Sequence, residues 1–122
     1  MRTNVSTFRV QVEVGDVQEE RFVQQAAWVD TGALFSQFPA SLLESLGHRP
    51  RLTRTFVLAD GSRVERPIGS VPLRLRGEVM PVACVYGEEG SEVLLGATAL
   101  ENFTLAVDPV HETLVPVTGM ML

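Results

Sequence analysis

Asp30 is the side chain in this sequence whose setting most suggests chemistry. It follows an apolar, β-prone run, Phe22 to Val29, and precedes Thr31, Gly32 and Ala33. A carboxylate between a buried strand and a tight turn costs desolvation free energy unless something uses it. Gly32 lets another segment approach the backbone closely, and the Thr31 hydroxyl can brace a neighbouring turn. Taken alone the triplet reads equally well as a plain turn, because all three residues are turn formers.

The other reactive side chains have plainer readings. Cys84 lies in an apolar run and reads as a small buried hydrophobe. One cysteine with the two distant histidines His48 and His111 does not make a zinc site, so no metal or other cofactor is expected. Both histidines stand beside turn signals and read as solvated. Asp108 precedes a proline and Asp60 a glycine, and both read as turn formers. Arg49, Arg51 and Arg54 read as an exposed basic edge, and Trp28 as core.

Short strands must position Asp30. Phe8, Val10, Val12 and Val14 alternate with polar residues, the period of a half-buried strand, and Gly15-Asp16 turns the chain into Phe22 to Val29. Leu34 and Phe35 continue an apolar floor. Pro39 is placed as a first helical residue; Leu42, Leu43 and Leu46 fall on one helical face, and Gly47 caps it. Thr55 to Leu58 and Ser62 to Glu65 flank the hairpin signal Asp60-Gly61. Gly69 interrupts. Val71, Leu73 and Leu75 alternate, and Val79 to Tyr86 returns. Val93 to Gly96 is a short buried strand, and Thr98 with Glu101 forms a capping box for a turn of helix that points Leu100 and Phe103 inward. Leu105 and Val107 lead through Asp108-Pro109 to Leu114 to Val117. About eight short strands and one or two short helices predict an all-β barrel or sandwich.

Composition narrows the function classes. A chain of 122 residues is one domain, residues 1–122, long enough to bury a core. A formal charge of −5 argues against nucleic acid as a partner. No apolar run approaches the roughly twenty residues of a membrane helix, and no apolar segment of a secretory signal follows Met1-Arg2-Thr3-Asn4. The expectation is a soluble cytoplasmic protein with no membrane partner.

The order of parts resembles the retropepsin-like aspartic proteases, the single-lobe proteases of retroviruses and their cellular and bacterial relatives. Val29-Asp30-Thr31-Gly32-Ala33 and Val93-Leu94-Leu95-Gly96-Ala97-Thr98-Ala99-Leu100 carry the resemblance, which spans Phe8 to about Val117. It implies a small closed acid-protease barrel and an aspartic endopeptidase that is a homodimer acting on polypeptide substrates. Asp30 would be the catalytic aspartate, paired with its mate across a twofold axis. Thr31 would belong to interlocked turns joining the two active-site loops. Gly32 and Ala33 would line the floor. Leu58, Ala59, Asp60 and Gly61 would lie in a flap, the hairpin Val57 to Val64, closing over substrate. Leu94 would wall a side-chain pocket, and Gly96 would pack where a side chain would collide. Activity is expected on the acid side of neutrality. Where retroviral enzymes carry a carboxylate after the Ala and an arginine after the late glycine, this chain has Leu34 and Ala97, so that pair is absent.

Two other functions compete. One is a silent relative that keeps the groove to bind an extended peptide or partner protein. The other is a β interaction domain whose Asp-Thr-Gly is a coincidental turn, which requires Asp30 to be exposed. The termini, Thr3 to Thr7 and Val115 to Leu122, are candidates for the dimer contact, since the apolar tail Met120-Met121-Leu122 is odd in water.

Overall fold

The computed structural model describes residues 8–118. The proposed contacts of Thr3 to Thr7 and of Met120-Met121-Leu122 lie outside the described residues. Among those described, the chain forms nine strands and two short helices: β1 Arg9–Gly15, β2 Phe22–Val29, β3 Ser36–Pro39, α1 Ala40–Ser45, β4 Leu52–Val57, β5 Arg63–Leu75, β6 Glu78–Gly87, β7 Leu94–Leu95, α2 Ala97–Asn102, β8 Leu105–Asp108 and β9 Thr113–Pro116.

Seven strands make one sheet in the order β1-β2-β7-β3-β6-β5-β4, and β1 pairs again with β5. The sheet therefore returns on itself as a ring, with β4 outside it. The closing contact sets Glu13 against Arg74 and Val14 against Leu73. Arg74 donates to Glu13 at 3.1 Å and lays its guanidinium 3.8 Å from the Phe22 ring centroid, so one side chain bridges β1, β2 and β5. β8 and β9 form a separate two-stranded sheet.

The two-residue period of the strands fills the ring. Val12, Val14, Val29, Val71, Leu73, Val82, Cys84 and Leu95 point inward and are buried, joined by Phe38 from β3 and Leu43 from α1. Burial pushes the Cys84 thiol far above its ordinary range, so it is inert packing, as its apolar run implies.

Local readings differ from the structure where distant segments decide. β3 was not among the expected strands. Its four residues pair in parallel with β6 and meet Leu94 of β7. Gly69 does not interrupt: β5 runs through it, opposite Cys84. Pro39 ends β3 and sits before the first turn of α1 instead of within it. The Thr98–Glu101 capping box does not form, since α2 begins at Ala97 after Gly96. His48 is buried, not solvated, and its Nε2 meets the Gly15 carbonyl at 2.7 Å. That bond ties the end of α1 to the β1–β2 turn. Trp28 is half-buried rather than core, with the Arg9 guanidinium 4.6 Å from its ring centroid. Leu34 is 64% exposed, not part of an apolar floor.

Candidate active site

Asp30 stands where β2 leaves the sheet, and it is only 8% exposed although Thr31 and Gly32 beside it are exposed. Its backbone N–H donates to the Leu95 carbonyl at 3.0 Å, which continues the parallel pairing of β2 with β7 by one residue. The Gly32 N–H donates to Asp30 Oδ1 at 3.0 Å, and the Ala33 N–H donates to the Asp30 carbonyl at 3.1 Å. The turn thus folds back on its own carboxylate and orients it. The burial removes the premise of a coincidental exposed turn.

A second loop, at the start of α2, clamps the first. The Gly96 N–H donates to the buried Ser36 Oγ at 3.0 Å, the Ala97 N–H to the Ala33 carbonyl at 2.8 Å and the Thr98 N–H to the Leu34 carbonyl at 3.1 Å. The amides that open α2, which have no partner within a helix, are satisfied by the loop after Asp30. Contact is so close at Gly96 that a Cβ there would lie 2.6 Å from the Phe35 carbonyl oxygen and 2.8 Å from that of Ala33. Sequence reasoning anticipated Gly96 but not Ser36, a polar residue in a strand too short to recognise.

A groove of about 640 Å³ runs between this loop and the β4–β5 hairpin. Gly32, Ala33, Leu58 and Leu94, all expected to bind substrate, line it. Thr31, Ala59, Asp60 and Gly61, expected with them, do not; Thr31 lies exposed beside Asp30, and the other three are exposed at the hairpin tip. Val64, expected in the flap, lines it too, and sequence reasoning missed Phe35, Gln37, Arg54, Phe56 and Arg66, which also line the groove. The Phe35 and Phe56 rings meet edge-on at 6.1 Å, so the hairpin stem touches the loop after Asp30. The signal available for Phe56 was the apolar face that it shares with Leu58 and Val64 across the hairpin.

The hairpin tip is a compact turn. The Leu58 N–H donates to the Ser62 carbonyl at 2.8 Å and the Gly61 N–H to the Leu58 carbonyl at 2.9 Å, with Gly61 at φ +87°. Asp60 Oδ1 accepts the Ser62 hydroxyl at 2.6 Å and its N–H at 2.9 Å. These bonds, the hydroxyl first, hold the Asp60 carboxyl below its ordinary 3.8. A depressed folded-state pKa stabilises the turn above the unfolded value and loses that effect as pH falls through the folded one. The Ser62 amide resonance is therefore expected to titrate with a midpoint below 3.8. A midpoint above 3.8 in an NMR titration would show that the carboxylate does not hold the hydroxyl.

Among the described residues no group of His, Cys, Asp and Glu is arranged to hold a metal, and no helix is long and apolar enough to cross a membrane. Asp108 and His111 pair with each other at 2.8 Å in the exposed β8–β9 turn.

No protein-family model and no curated protein matches the chain. Solved structures do. The retroviral protease-like domain of Ddi1 from Leishmania major shares 20% identity, with 93% of this chain and 90% of that one covered at a TM-score of 0.58. A retropepsin-like aspartic protease from Rickettsia conorii shares 21%, covering 84% and 88% at 0.56. The Simian Foamy Virus protease shares 16%, covering 77% and 92%, also at 0.56. The fold is retropepsin-like.

Proposed function

We propose that a chain with this retropepsin-like fold is one half of an aspartic endopeptidase, completed when two copies bring their Asp30 carboxylates together across a twofold axis. The observation that carries the reading is the placement of Asp30. A carboxylate is buried at a strand end, oriented by the Gly32 N–H, and set beside a groove of about 640 Å³ that Gly32 and Ala33 line.

Two carboxylates within a few ångströms do not both ionise cheaply, so they share one proton and titrate as a pair. Aspartic proteases are themselves the established example of this rule. The ionised member takes a proton from water as the water oxygen attacks the scissile carbonyl carbon. The protonated member gives its proton to the amide nitrogen as the C–N bond breaks. Substrate lies extended in the groove as an added strand, bonded to backbone groups of the Gly32 turn and the β4–β5 hairpin. The hairpin tip, with Ala59, Asp60 and Gly61, closes over it and excludes water. Thr31, exposed beside Asp30, faces the partner's equivalent turn.

The two-chain requirement is tested by dilution. Hydrolysis of a quenched-fluorescent peptide library per mole of chain is expected to fall as the protein is diluted through its dimer dissociation constant, as mass action demands. Sedimentation measured alongside should report the same constant. Constant activity per chain in a strictly monomeric sample would remove this mechanism.

A further inference from the structure

The charge in the groove opposes the charge of the chain. The sequence holds 15 acidic residues against 10 Lys and Arg. Yet both charged residues lining the groove are arginines, Arg54 and Arg66. They stand directly opposite each other on β4 and β5, so their side chains leave the same face of the hairpin. Like charges in that relation are destabilising unless each is balanced.

Among the described residues only one is balanced by a carboxylate. Arg66 Nη2 pairs with Glu88 Oε1 at 3.1 Å. Arg54 donates from Nη1 to the carbonyl of Thr53, its own neighbour, at 3.3 Å, and among the described residues it has no carboxylate partner. The next pair toward the tip on that face, Phe56 opposite Val64, lines the same groove, with Phe35 packed on Phe56. The stem of the hairpin therefore presents an apolar surface that ends in a guanidinium without a carboxylate partner among the described residues, a fork suited to a carboxylate.

Resting on the protease reading above, we infer that the groove selects polypeptide segments carrying an aspartate or glutamate side chain within reach of Arg54. The acid completes the charge balance that the Arg54–Arg66 pair leaves open, and its neighbours lie on Phe56 and Val64.

The test uses synthetic decapeptides, N-acetylated and C-amidated so that side chains are the only carboxylates, with Glu or Gln at each position in turn. Cleavage is mapped by mass spectrometry. Wild type is expected to cleave the Glu member about tenfold faster than the Gln member at one position, the worth of one charge-assisted hydrogen bond. Arg54→Gln should bring that ratio close to one, and Arg54→Glu should turn the preference toward Lys at the same position. Equal rates on both members in wild type, or a ratio that survives Arg54→Gln, would overturn the inference and leave the protease reading standing. Cleavage of no peptide at all would count against the protease reading instead. In that case the ratio of dissociation constants for the same peptides on Asp30→Asn, by calorimetry, decides the acid preference alone.

Discussion

Asp30→Asn is expected to abolish peptide hydrolysis while leaving the fold intact. The asparagine is the same size, and its Oδ1 can still accept the Gly32 N–H that Asp30 accepts at 3.0 Å. The turn and its tie to the Leu95 carbonyl therefore persist. What disappears is the capacity to take or give a proton, and it disappears from both halves of the pair at once. Each acid–base role contributes roughly a hundredfold to ten-thousandfold, so the loss should exceed about a thousandfold. Unchanged thermal unfolding of the variant, recorded beside the assay, separates lost chemistry from lost structure. Wild-type rates in a preparation free of other proteases would move the chemistry away from Asp30.

Gly96→Ala is expected to be the most damaging single methyl group in the chain. Its Cβ would lie 2.6 to 2.8 Å from backbone carbonyl atoms of Phe35 and Ala33, which have no rotamer to change. Relief requires moving the loop after Asp30 or the start of α2, and either movement breaks the bonds from the Ala97 and Thr98 amides. Overpacking at sites that can yield costs about 1–3 kcal/mol; here the cost should reach or pass the upper end of about 3 kcal/mol. Urea unfolding reads it as a lower midpoint, and activity should fall further than stability because the displaced loop carries Asp30. A variant within about 0.5 kcal/mol of wild type would show that the two loops yield freely.

The parts of the molecule legible in the sequence are those whose structure depends on their own neighbours. β1 and β2 alternate or run apolar over seven and eight residues, and their ends were readable, so the position of Asp30 was too. The Asp60-Gly61 turn was readable for the same reason. β3 was not. Ser36–Pro39 holds a serine, a glutamine and a proline, and it is a strand only because β6 and β7 pair with it. The Thr98–Glu101 box was a sound local signal overridden by distance, since the Thr98 amide that Glu101 would have satisfied bonds the Leu34 carbonyl. His48 stands beside a glycine and a proline-containing turn, and nothing local announces its bond to Gly15. The role of Arg54 was hidden similarly. Its meaning comes from the residue across the hairpin and from the groove beneath, neither of which composition reveals.

The pairing of β2 with β7 has a consequence in time. The carbonyl that receives the Asp30 amide belongs to residue 95, and the clamp beyond it involves residues 96 to 98. A chain emerging from the ribosome therefore carries its acid long before it can orient it. Contacts so remote along the chain make folding slow, on the order of milliseconds to seconds for β topologies of this kind. A nascent or truncated product ending before β7 lacks the seat for Asp30 altogether, so the carboxylate is not held in place until synthesis has run to residue 95 and beyond.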